Sequence, residues 1–166
     1  MIILTFGKLD DILRVNFLKA WGVKMSKIVY DGSEAVFGRL ASLVAKDLLN
    51  GNSVDVINCE KIIVSGDKKL FVAKVLQKRE MGTGGSMKGP KYPRAADRLI
   101  KRMIRGMLPW DRAKGRKAYE NLRCYVGGDA KNVVKLNHRK PMRFSTVEEI
   151  VKSLGVHKVT SVGGAK

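Results

Sequence analysis

The sequence predicts an α/β fold built on a mainly parallel sheet, and three observations carry that prediction. Short, continuous apolar runs such as "KIVYD", "SVDVIN" and "KIIVSG" alternate with segments whose apolar residues recur at helical spacing. Strands that are apolar throughout are buried on both faces, as in a parallel sheet covered by helices. The 166 residues, 45% of them hydrophobic, suffice for one domain of ordinary size with a real core.

Taken in order, Leu9, Ile12, Leu13, Phe17, Ala20 and Trp21 recur at helical spacing, so residues 8–21 read as an amphipathic helix within an N-terminal extension, 1–24. Met25 follows it as a second possible start. "KIVYD" is a strand, Phe37 to Leu49 a helix stopped by Gly51, and "SVDVIN" and "KIIVSG" two more strands. Asp67 opens a helix that runs to about Gln77. "LRCYVG", Leu122 to Gly127, supplies a later strand. In "STVEEIVKSLG" the pair Ser145 and Glu148 reads as a capping box, with Gly155 as the stop. The domain reading is therefore an extension at 1–24, an α/β core at 25–127, and a basic C-terminal tail at 128–166 with a helix near 146–154.

Charge names the class of partner. Lys and Arg number 33 against 15 Asp and Glu, a net charge of +18, more than solubility requires. Residues 78–143 alone carry 19 cations and 5 acids, whereas residues 1–77 carry 11 and 8. A polyanion is the expected partner, and the middle of the chain is its face.

Within that face, "EMGTGGSMKGPKYPR" (Glu80 to Arg94) is too rich in Gly and Pro for helix or central strand. It follows a helix, lacks the G-K-[ST] ending of a P-loop and has Met87 where a third glycine belongs, so a mononucleotide loop is set aside. It reads as an extended loop lying close to another surface. Beyond it, Ala96, Leu99, Ile100, Met103, Ile104 and Met107 form one buried stripe, with Arg94, Arg98, Lys101, Arg102 and Arg105 on the other side. Like charges at i, i+4 repel, and phosphates would supply the missing counter-ions. Gly106 and Pro109 then force a turn, and Arg112, Lys114, Arg116 and Lys117 follow it, making a bent basic surface suited to folded RNA. The expected RNA-binding set adds Lys78, Arg79, Lys88 and Lys91 before the helix, and Arg139 and Lys140 in "NHRKP". Trp110 either stacks on a base or, as aromatics beside prolines more often do, packs against its own turn.

Other chemistries find little support. Cys59 and Cys124 lie in apolar runs without zinc-site spacing and read as buried free thiols of a reducing cytoplasm, so no metal or cofactor is expected. His138 and His157 stand in the tail without a partnered nucleophile or carboxylate, so no catalytic residue is expected. The start of the chain lacks the features of a signal peptide, and no run reaches the length of a membrane span.

"GRLASLVAKDLLNG", "VINCEKIIVSG" and "RMIRGMLPWDRAKGRKAYENLRCYVG" resemble, in that order, the motifs of ribosomal protein thirteen of the large subunit. "GPKYPRAADRLIKRMIRGMLPW" is similar to the archaeal branch of that family. The resemblance covers Lys27 to Gly127, and its motif falls on Arg105, Gly106, Met107, Leu108, Pro109, Gly115 and Arg116. It implies a three-layer α/β/α core with a four-stranded parallel sheet and a structural, non-enzymatic role. The implied partners are large-subunit rRNA and neighbouring ribosomal proteins, with no membrane and no small-molecule substrate. The alternatives are a free-standing RNA-binding regulator of translation, since the same cations would serve it, and a nucleotide-binding α/β enzyme.

Overall fold

A computed structural model describes residues 26–82, 84, 88–130 and 132–155. The expected helix at 8–21, and His157, lie outside these residues.

The chain runs β1 (Lys27–Asp31), α1 (Phe37–Leu49), β2 (Ser53–Ile57), a 3-10 turn (Cys59–Lys61), β3 (Ile63–Ser65) and α2 (Lys68–Glu80). It continues with α3 (Ala96–Arg105), α4 (Ala113–Glu120), β4 (Leu122–Cys124), β5 (Val133–Val134), β6 (Phe144–Thr146) and α5 (Val147–Ser153). Four strands form a wholly parallel sheet in the order β4, β2, β1, β5, with Tyr30 opposite Val56 on one side and Val134 on the other. Val54, Asp55, Val56 and Ile57 are buried in succession, so both faces of β2 are out of solvent, as its unbroken apolar run requires. The α/β prediction holds.

Helix α1 presents Leu40, Ala41, Val44, Ala45 and Leu48 to the core and ends at Gly51, whose φ of 92° is a conformation that side chains resist. Helix α2 starts where expected, the Asp67 side chain accepting from the Lys69 N–H at 3.0 Å, but runs to Glu80. Helix α3 buries Ala96, Leu99, Ile100 and Ile104, and α5 adds Val147, Ile150 and Val151 to the same core. Each of these large side chains contributes about 1.5–3 kcal/mol by leaving water.

The structure corrects four expectations. "KIIVSG" does not join the parallel sheet: β3 pairs antiparallel with β6, Val64 opposite Ser145, and the fourth parallel strand is β5. Second, the segment after residue 127 is no appended tail, because it supplies β5, β6 and the core helix α5. Third, since β6 carries Ser145 into a ladder, the helix starts one residue later than expected. Thr146 is its N-cap, accepting from the Glu149 N–H at 3.4 Å, and Glu148 pairs instead with Lys152 at 2.7 Å. Finally, Met107 is exposed, because the helix it was assigned to stops at Arg105, and Leu108 turns inward in its place.

Candidate nucleic-acid interface

The end of α3 tightens before it breaks. Gly106, Met107 and Leu108 donate in turn to the carbonyls of Met103, Ile104 and Arg105 at 2.9–3.1 Å, a 3-10 pattern that closes the last turn. Leu108 anchors the turn in the core, Pro109 ends it, and Arg112 opens α4, a helix not anticipated from the sequence. Gly115 makes the return possible: a Cβ there would lie 2.0 Å from the Pro109 carbonyl oxygen, so only glycine lets α4 fold back this tightly. Gly106 is different, being exposed, helical in φ and ψ, and open apart from the Met103 carbonyl.

Aromatic rings organise the cations of this bend. The Arg105 guanidinium stacks 3.7 Å from the Trp110 ring centre, Trp110 meets Tyr119 edge to face at 5.3 Å, and the Lys101 ammonium lies 4.9 Å from the Tyr119 ring. Trp110 therefore packs against its own turn. A second node forms where α2, the following loop and α3 meet: Lys78 and Arg102 lie 5.1 and 5.2 Å from the Tyr92 ring. Arg102 and Arg105 are half-buried by these contacts, while Arg98 is exposed. The rings of Tyr92 and Tyr119, absent from the sequence reading, join Trp110 in holding like charges together; each such contact contributes about 0.5–1 kcal/mol. Burial pushes the Tyr119 hydroxyl above its ordinary value, opposed by Arg105 and Arg102.

Arg116 points back into the turn, donating from Nε to the Trp110 carbonyl at 3.2 Å and from Nη2 to that of Asp111 at 3.0 Å. Lys88, Lys91, Arg94, Arg112, Lys114 and Lys117 are exposed. Arg79 Nη1 and Arg102 Nε are buried without a hydrogen-bond partner among the described residues, although buried polar groups ordinarily have one. Arg139 and Lys140 stand apart from the bend, beside the loop after β1, where Lys140 pairs with Glu34 at 2.9 Å. Of all the cations expected at the interface, only Lys140 is in an ion pair among the described residues.

The remaining expected groups fall outside this surface. Cys59 is buried and Cys124 half-buried, both free; the neighbouring Cys124 thiol and burial push the Cys59 thiol well up, so it stays protonated. Among the described residues no helix is long and apolar enough to cross a membrane.

Residues 25–131 match the family described as ribosomal protein L13. The chain is similar to the large ribosomal subunit protein uL13 of Methanosphaera stadtmanae, 39% identical over 144 residues that span 83% of this chain and 97% of the relative. It is also similar to the proteins of that name from Methanopyrus kandleri, 48% identical over 99 residues (60% and 61% of the two chains), and Archaeoglobus fulgidus, 43% over 99 residues (60% and 62%). These last two matches span less than two thirds of the relatives' length. The chain belongs to the ribosomal protein L13 family.

Proposed function

We propose that this chain is a structural constituent of the large ribosomal subunit that binds folded large-subunit rRNA through the bent surface of α3, the turn and α4, without catalysing a reaction. One observation carries the reading: among the described residues, Lys101, Arg102 and Arg105 lie on aromatic rings without an ion pair, and Arg79 Nη1 and Arg102 Nε have no acceptor. Phosphates supply both the missing counter-charge and the missing acceptors, and a bend follows a folded backbone better than a straight rod does. The family and the names of its members support the particle as the setting, and with it cytoplasmic rRNA and adjacent ribosomal proteins as partners.

Two measurements test it. RNA binding by the full chain should weaken steeply with salt, with about 0.7–0.9 units of log–log slope per phosphate neutralised, and a flat dependence would overturn the reading. The protein should also co-sediment with large particles through a high-salt wash. Release into the free pool at that step would favour a regulator acting outside the ribosome.

A further inference from the structure

The order β4, β2, β1, β5 contains a reversal. From β1 the chain crosses to β2 on one side and then to β4, but it returns to place β5 on the other side of β1. The loops leaving the carboxyl ends of β1 and β5 therefore diverge and leave a crevice, the location at which open parallel sheets hold their ligands. A cleft of about 510 Å³ lies there, a size suited to a small organic ligand. Asp31, Ser33 and Glu34 line it from the β1 side, and the segment Lys135 to Lys140 from the β5 side.

Its acids are already engaged. Asp31 Oδ1 accepts from the Ser33 N–H at 2.9 Å and from Asn58 Nδ2 at 3.0 Å, and Glu34 pairs with Lys140 at 2.9 Å. Burial pushes the Asp31 carboxyl up, but these hydrogen bonds and the nearby Lys135 outweigh it and hold the group below its ordinary value, so it stays charged and occupied. Lys135 and Arg139 remain as cations without an ion pair among the described residues. His138 Nε2 is buried there with no hydrogen-bond partner among the described residues, although a buried ring nitrogen ordinarily has one. A ligand that satisfies this wall brings an anion for Lys135 and Arg139 together with a polar group, beside a flat surface, for His138 and Asn137.

We propose that this cleft binds a nucleotide unit, its phosphate held by Lys135 and Arg139 and its base or ribose meeting His138 Nε2 and Asn137. The same chemistry comes from a free nucleotide or from an unpaired residue of an RNA strand, and only the second source rests on the RNA-binding reading above. A neighbouring hollow of about 410 Å³, lined in part by Arg39, shares Arg139 and Lys140 with the cleft and gives a strand room to continue.

The test is a titration of the isotopically labelled full chain with adenosine 5′-monophosphate, followed by nuclear magnetic resonance. The expected shifts are confined to 31–34 and 135–140, and Lys135→Gln with Arg139→Gln weakens the binding about tenfold or more, as loss of two charge contacts should. Displacement of the nucleotide by a single-stranded RNA hexamer supports the strand as its source; binding without displacement supports a free nucleotide. Absence of shifts at these residues in the unaltered chain overturns the proposal, and so does reproduction of every shift by inorganic phosphate at the same concentration, since the base would then contribute nothing. The nucleotide arm does not depend on the salt dependence of RNA binding by the whole chain, so the two readings fail separately.

Discussion

Around β1 and β2, Lys27 pairs with Asp55 at 2.9 Å, Tyr30 donates to Asp47, and Asp31 accepts from Asn58 and Ser33; along α3 and α4 the cations lie instead on Tyr92, Trp110 and Tyr119. The two solutions differ in what they leave for a partner. A carboxylate neutralises a cation, whereas a ring attracts it without removing its charge or all of its N–H donors. The first region is electrostatically closed and the second holds its charges in a fixed array that still projects a positive field.

The largest expected effect breaks that array. Arg98→Glu with Arg102→Glu removes two attractions to phosphate and adds two repulsions, each about 1 kcal/mol at water-like screening, so RNA affinity should fall on the order of 1,000-fold. Loss of the Arg102 stack on Tyr92 is offset by new pairs with Arg94, Lys101 and Arg105, leaving stability within about 1 kcal/mol. Lys46→Glu with Lys74→Glu, on the exposed faces of α1 and α2, should cost much less affinity. Affinity measured at fixed salt beside thermal melting decides it; equal losses in the two pairs would mean that the binding face lies elsewhere.

Next in size is the turn that sets the angle of the array. Gly115→Ala drives a methyl group into the Pro109 carbonyl and should destabilise the chain by about 2–3 kcal/mol, while Gly106→Ala, open and helical, should raise stability by up to about 1 kcal/mol. Denaturant midpoints check both. If Gly115→Ala melts like the parent, the close return of α4 is not what shapes the bend.

Apolar strands report burial but not their partner, which is why the parallel sheet was legible while β3 was misplaced: Ile63 and Val64 are as buried against β6 as a central strand would be. Helix α4 left no periodic signal because the residues it buries, Gly115 and Ala118, are small and separated by cations. The charge of the interface was visible in composition and Trp110 in its turn, but the Tyr92 node was not, since Tyr92 and Arg102 meet only once α3 is docked. The cleft was wholly hidden, because it joins Glu34 to Lys140, 106 residues away.

On the closed side of the comparison, burial and the hydrogen bond to Asp47 push the Tyr30 hydroxyl up to about 12. An unfolded tyrosine ionises near 10, so Tyr30 contributes stability that is fully present below about pH 10 and lost as pH rises toward 12, a fall of about 2 kcal/mol. Tyr30→Phe should flatten that part of the stability profile, measured by denaturant unfolding between pH 9 and 12. Parallel profiles in parent and variant would show that the hydroxyl titrates as if exposed.

The smallest effect falls on the ring that the open side depends on. Tyr92→Leu keeps an apolar side chain against the core but removes the stacks of Lys78 and Arg102 and the 3.4 Å contact from Lys78 Nζ to the hydroxyl, a loss of about 1 kcal/mol. The cations stay in place of sequence and keep their charge, so the salt slope of RNA binding should not change, and affinity should drop by roughly threefold or less as the side chains regain freedom. This sets a ring that organises charge apart from a ring that binds. If Tyr92→Leu costs as much affinity as the paired Arg98 and Arg102 reversal, Tyr92 itself meets a base, and the aromatic nodes are contact surfaces as well as supports.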